Sequence, residues 1–121
     1  MAKRKRKRKA GPGDSYRSAW HLITFVGVTS PSARLAHGYP RYTGRGRRAG
    51  RRFGHAWIEI GETVIDIEAN AAGDKAGYYR VGRIDSRLVR LYSRAEALEL
   101  AKRHGHYGPF EKPPGDAMFA R

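Results

Sequence analysis

Apolar positions along the chain fall into segments of different period. Ala19 to Val28 (AWHLITFVGV) is a nearly continuous run of β-branched and aromatic residues, the pattern of a mostly buried strand. Thr29-Ser30-Pro31-Ser32 ends that run, and Ser32 to His37 reads as a short helical turn. Phe53 to Glu68 (FGHAWIEIGETVIDIE) alternates with period two about Gly61-Glu62. This fits a two-residue type II′ hairpin turn, because glycine supplies the positive φ its first central position needs. The register pairs Ile60 with Thr63, Ile58 with Ile65 and Ala56 with Ile67 on an apolar face turned to the core. Glu59 with Val64, Trp57 with Asp66 and His55 with Glu68 line the other face, expected to be half-exposed. Gly73 to Gly77 reads as a loop, and Tyr78 to Ile84 and Leu88 to Tyr92 as further strands joined around Asp85-Ser86. Ser93-Arg94-Ala95-Glu96 is a capping box, and Ala97, Leu98 and Ala101 follow as an apolar stripe with Gly105 placed as a C-cap. The sum is an α+β class: an antiparallel sheet with one or two helices packed on one face.

The 121 residues allow one core. The expected organisation is a disordered polybasic tail over 1–14, a single domain over 15–110 with an Arg/Gly-rich loop over 38–52, and a frayed C-terminal tail over 111–121. No window approaches the ~18 consecutive apolar residues of a membrane span, so no membrane span is expected. The basic start has no apolar stretch after it, so secretion by a signal peptide is not expected. The expected location is cytoplasmic, or virion-associated if the chain is of phage origin. Cysteine is absent, which excludes disulfides, thiolate zinc sites, iron–sulfur clusters and a cysteine nucleophile. No spacing supports a metal site, and no cofactor is expected.

Charge changes the picture. The net +14 of the whole chain is already present in residues 1–58, where fifteen Lys and Arg face one acid, Asp14. Residues 59–121 sum to zero. Lys3, Arg4, Lys5, Arg6, Lys7, Arg8 and Lys9 form one block, and like charges without an apolar residue to bury predict disorder. The second block, GYPRYTGRGRRAGRR, carries Arg41, Arg45, Arg47, Arg48, Arg51 and Arg52, with Tyr39 and Tyr42 flanking Pro40. Its glycines and lack of period predict a mobile surface loop. Such cations neutralise phosphates and release counterions, and the tyrosines can stack on unpaired bases. The partner implied is DNA or RNA, contacted through its backbone without sequence preference.

His55 is the candidate for chemistry. The hairpin register sets it opposite Glu68 and diagonal to Asp66, about 5–8 Å between Cβ atoms. A carboxylate beside an imidazole fixes its tautomer and raises its basicity. The run Gly54-His55-Ala56-Trp57-Ile58-Glu59 with Val64-Ile65-Asp66 resembles the His-strand and Asp-strand of papain-like and transglutaminase-like domains. Leu91-Tyr92-Ser93, the helix after it and His106-Tyr107-Gly108-Pro109-Phe110 are similar to small phage and bacterial proteins with the same G-H-x-W-x-E pattern. The resemblance covers roughly residues 53–110 and implies His55 as general base and Asp66 as its orienter.

Those families attack with a cysteine at a helix N-terminus, and this chain has none. Ser15, Ser18, Ser30, Ser32 or Ser93 could replace it only if the fold brought a hydroxyl within hydrogen-bond reach of His55. The reading therefore favours a nucleic-acid-binding protein on a papain-like or transglutaminase-like scaffold that has lost the reaction. One alternative is a hydrolase or acyl transferase using His55, Asp66 and a serine. The other is a virion structural protein whose basic arm touches packaged genome inside a larger assembly such as a phage particle.

Overall fold

The computed structural model describes residues 12–47 and 49–112. The seven tail cations, Arg48 and residues 113–121 lie outside them, and with these most of the expected 1–14 and 111–121 tails. Helix α1 (Pro12–Thr29) leads into strand β1 (Arg34–Gly38), then β2 (His55–Ile60), β3 (Thr63–Asp66) and β4 (Ala71–Asp74). Helix α2 (Lys75–Gly82), a 3-10 turn at Ser86–Leu88, β5 (Arg90–Tyr92) and helix α3 (Arg94–His104) complete the order. The five strands form one antiparallel sheet in the order β4-β3-β2-β1-β5, an α+β architecture.

The hairpin forms in the expected register: Ile60 pairs with Thr63, Glu59 with Val64 and Ile58 with Ile65. Gly61 takes φ +60°, the value its turn position requires. The ladder ends sooner than the alternation suggests, because β3 stops at Asp66 and the chain turns through 67–70. Ile67, expected opposite Ala56 in the core, is exposed in that turn.

Four segments differ from the sequence pattern. Ala19–Val28 lies inside α1, not in a strand. Tyr16, Ala19 and Ile23 recur at helical spacing and bury together, so the stripe that decides the element is interleaved with the β-favouring residues that hid it. The turn expected over 32–37 is largely β1, whose Leu35 and Ala36 are fully buried at the centre of the sheet. Gly73 and Asp74 belong to edge strand β4, with Val64 opposite Gly73 and Thr63 opposite Asp74. Tyr78–Ile84 is mostly α2, started by Asp74, whose side chain accepts the Gly77 N–H at 2.8 Å. Helix α3 begins as expected, with Ser93 and Glu96 closing the reciprocal box at 3.1 and 2.8 Å.

Alternation sorts the sheet into two buried faces. Leu35, Ala56, Ile58 and Tyr92 pack under α1 and α3 with Tyr16, Ala19, Ile23 and Ala97, the two helices on one face. The Trp20 indole N–H, donating to the Ala97 carbonyl at 2.9 Å, and Arg94 Nε, donating to the Thr24 carbonyl at 2.9 Å, tie these helices together. The opposite face, expected to be half-exposed, is covered by the third helix. Trp57, Ala36 and Val64 pack there against Tyr78, Tyr79, Ile84 and Val89. The Trp57 ring lies across Gly38, where a Cβ would fall 2.5 Å from its Cη2 atom.

Candidate functional site

His55 opens β2 on the α2-covered face, and its Nε2 lies 2.8 Å from Asp66 Oδ2. Both side chains are buried, with His55 7% and Asp66 2% exposed. Tyr78 of α2 donates its hydroxyl to the same Asp66 oxygen at 2.5 Å, and the Ala69 N–H donates to Oδ1 at 3.0 Å. Burial pushes the Asp66 carboxyl up, but the hydrogen bonds from His55, Tyr78 and Ala69 outweigh it and hold it below the usual carboxylate value. Burial and the bond to Asp66 raise the Tyr78 phenol, which therefore stays a neutral donor. An ionised Asp66 can only accept, so Nε2 carries the ring proton and Nδ1 is the basic nitrogen when the ring is neutral. Nδ1 is buried, makes no hydrogen bond among the described residues, and stands 3.7 Å from Glu68 Oε1.

A second buried carboxylate lies two residues along the strand from Trp57. Glu59 Oε2 accepts the Trp57 indole N–H at 3.0 Å and the Tyr79 hydroxyl, while Lys75 Nζ sits 3.3 Å from Oε1. Adjacent tyrosines of α2 thus each hold one carboxylate. The W-x-E part of the hairpin motif has a structural use here, since residues i and i+2 of a strand share a face. The two tyrosines were not singled out in the sequence. Their one signal was adjacency, which on a strand would have sent them to opposite faces.

Of the serines considered, the structure brings Ser15 to this region. It sits in the first turn of α1, buried, and its Oγ accepts the Ala56 N–H at 3.3 Å, one residue from His55. Ser30 and Ser32 lie at the far end of α1, and Ser93 is committed to its capping box. His37 occupies the other face of the sheet, buried among Tyr16, Tyr92 and Phe110. His104 and His106 group with Phe110 on that same side, away from His55. His21 is exposed beside Trp20 and Tyr107.

The base of the Arg/Gly loop is paired through its backbone. Arg41 and Arg52 form an antiparallel bridge, with Tyr42 N–H to the Arg51 carbonyl at 2.7 Å and Gly50 N–H to the Tyr42 carbonyl at 3.0 Å. Its arginines divide by role. Arg41 Nη1 donates to the Gly50 carbonyl at 2.6 Å, and Arg52 Nη1 donates to the Tyr39 and Arg83 carbonyls at 2.7 and 3.1 Å. Arg45 and Arg47 are exposed and form no ion pair among the described residues. Tyr39 and Tyr42 part company. Tyr42 stays on the loop, whereas the Tyr39 phenol is raised chiefly by burial and feels Arg90 and Glu111 near the C-terminal strand. The rear half also adds a cation here, since Arg83 caps α2 against the loop.

Comparison with known proteins adds no relative: no family model, no curated protein and no solved structure matches the chain. Among the described residues no helix is long and apolar enough to cross a membrane.

Proposed function

We propose that this chain is a nucleic-acid-binding module that contacts phosphates through its polycationic start and the exposed arginines of the 38–52 loop. The observation that carries the reading is the confinement of the whole +14 to residues 1–58, with Arg45 and Arg47 in no ion pair among the described residues. The folded part, on this reading, is a scaffold that presents the loop. Binding to duplex DNA measured across salt tests it. Engagement of the seven tail cations alone gives a slope of log K against log[salt] of about −6. Replacing Lys3 to Lys9 by glutamine in the full-length chain should remove most of that slope. A slope near zero for the unaltered chain overturns the proposal.

One observation favours a second reading, acyl transfer. Ser15 lies in the first turn of α1 with its Oγ on the amide of Ala56, next to His55, although no hydroxyl among the described residues is hydrogen-bonded to His55 Nδ1. The resemblance to papain-like and transglutaminase-like domains points to the same constellation. In such a reaction the Ser15 hydroxyl proton passes to Nδ1 as Oγ bonds to an acyl carbon, and the leaving group departs with that proton. Ser15 must first leave the Ala56 amide, come within hydrogen-bond reach of Nδ1 and become accessible. A fluorophosphonate should add its phosphonyl group to Ser15, seen as a mass increase lost in Ser15→Ala and His55→Ala. No adduct on the folded protein removes this reading.

A further inference from the structure

Between the Arg/Gly loop and the end of α2 lies a cavity of about 430 Å³, within the range of about 300–1,000 Å³ usual for small-ligand sites. Arg83 and Arg41, the latter with its Nη1 held by the Gly50 carbonyl, bring positive charge to it, Tyr42 and Val81 bring apolar surface, and none of its lining residues among those described is acidic. The Tyr42 ring is seated on Gly44, where a Cβ would come within 2.6 Å of the hydroxyl and 2.7 Å of the ring carbons. One side of the ring is thus braced, and the residue remains 38% exposed. Val81, 69% exposed, lines the cavity from α2. The backbone is held on both sides, by the Arg41 N–H to the Gly82 carbonyl at 2.8 Å and by the Arg52 guanidinium to the Arg83 carbonyl. A cleft of this size, with a planar ring, an aliphatic rim and two guanidinium residues, matches a planar heterocycle attached to a phosphate.

We propose that this cavity is a subsite for one unpaired nucleotide of a single strand, its base against Tyr42 and Val81 and its phosphate on Arg83. The inference rests on the nucleic-acid reading above and adds a preference that phosphate contact alone cannot give. A duplex keeps its bases stacked and paired, so only its backbone reaches the loop. An unpaired base can enter a concave site and stack.

The test is fluorescence anisotropy on the full-length chain near physiological salt, with three probes of equal phosphate number: a single-stranded oligo-dT, an abasic strand and a duplex. Oligo-dT should bind roughly 10-fold more tightly than the abasic strand, the scale of one base–aromatic stack. Tyr42→Leu should abolish that preference while leaving abasic and duplex binding within about 2-fold. Val81→Asp, an exposed substitution that spares the fold, should weaken oligo-dT selectively. A free mononucleotide that competes as well as oligo-dT at equal nucleotide concentration would assign the cleft to a small ligand and overturn the strand proposal. Equal, salt-steep binding of all three probes overturns the subsite and keeps the broader reading. Absence of salt-dependent binding by any probe overturns both.

Discussion

The two faces of β2 carry alternate residues of one short strand, yet they are closed by different physics. Ala56 and Ile58 meet α1 and α3 through hydrocarbon. His55, Trp57 and Glu59, one position out of step, meet α2 through an aromatic layer and two buried carboxylates with their donors. The first face needs matching volume, and shape governs its tolerance. The second needs every acceptor matched by a donor, because a buried carboxylate without partners costs several kcal/mol. A face that looks polar in a sequence is therefore not a face left to water. It can be a second core whose register is set by hydrogen bonds.

The largest effect is expected where that difference is forced. Glu59→Ala leaves the Trp57 indole N–H and the Tyr79 hydroxyl without their shared acceptor and removes the partner of Lys75. The expected cost is about 3–5 kcal/mol. Ile58→Ala on the other face should cost about 2–5 kcal/mol through its cavity. The conservative pair separates the mechanisms. Ile58→Leu preserves volume and should cost under about 1.5 kcal/mol, whereas Glu59→Leu, which leaves the same two donors unmatched, should stay near the alanine value. Urea denaturation of the four variants decides this, and equal rescue by leucine at both positions would show that the second face is held by packing alone.

Acid should strike the hydrocarbon face first, although the carboxylates are on the other. His37 is a buried polar residue there, 6% exposed, with Nε2 lacking a hydrogen-bond partner among the described residues. Burial pulls its pKa down to about 4 from the ordinary 6.5, opposed by Glu111. The unfolded chain therefore binds the extra proton between pH 6.5 and 4. Stability is complete above 6.5 and falls across that window, by roughly 3 kcal/mol if the whole shift is expressed. Asp66 is held below its usual value, so its contribution persists above the ordinary carboxylate pKa of 3.8 and is lost only at still lower pH. Equilibrium unfolding at pH 7, 5.5 and 4.5 should show the decline in the native sequence and a much flatter profile in His37→Leu. Identical profiles would remove His37 from the account.

The parts of this design legible in the sequence are the local ones. Gly61 determined the hairpin register, and that register put His55 near Asp66 and Glu68, where the side chains are found at 2.8 and 3.7 Å. The Ser93–Glu96 box located the start of α3. Both signals act within four residues. What failed depended on distant segments. The run 19–28 has strand-favouring residues, but Tyr16, Ala19 and Ile23 had to lie on one line to meet the sheet, and tertiary burial overrode propensity. Tyr78 and Tyr79 likewise suit a strand. In α2 their hydroxyls reach Asp66 and Glu59, a requirement set by residues twelve and twenty positions earlier. Ser15 stood among five candidates because no pattern within the chain says which helix start will return to β2.

A smaller effect is expected from trimming single donors out of the second face. Tyr78→Phe keeps the ring against Trp57, whose centroid lies 5.3 Å away, and deletes the bond to Asp66. A hydrogen bond to an ionised acceptor predicts a loss of about 1.5–3 kcal/mol, whereas Ile58→Val on the first face should cost about 0.5–1.5. The ring nitrogens of His55 give a readout that simple destabilisation does not move. Nitrogen NMR should show Nε2 protonated in the neutral ring of the native protein, and weaker retention of that tautomer once Tyr78 no longer shares Asp66. An unchanged tautomer balance together with a loss under 0.5 kcal/mol would make the tyrosine hydroxyl incidental.

The smallest effect on stability belongs to the loop, and there smallness is the point. Arg45 and Arg47 are exposed and make no ion pair among the described residues, so Arg45→Gln and Arg47→Gln should change unfolding free energy by less than about 0.5 kcal/mol each. Arg52 makes a useful internal contrast, because its guanidinium ties the Tyr39 and Arg83 carbonyls across the loop base. Its replacement by glutamine should cost about 1 kcal/mol or more. Nucleic-acid binding should reverse the ranking. Each exposed arginine that meets a phosphate contributes about one unit to the salt slope, so the Arg45→Gln, Arg47→Gln pair should flatten it by about two while leaving the melting curve in place. Arg52, whose Nη1 is held by two backbone carbonyls, should flatten it less per residue despite costing more stability. Measuring both quantities on the same three variants separates cations that build the loop from cations the loop exists to display. If the stability and salt-slope rankings coincide, that division is wrong.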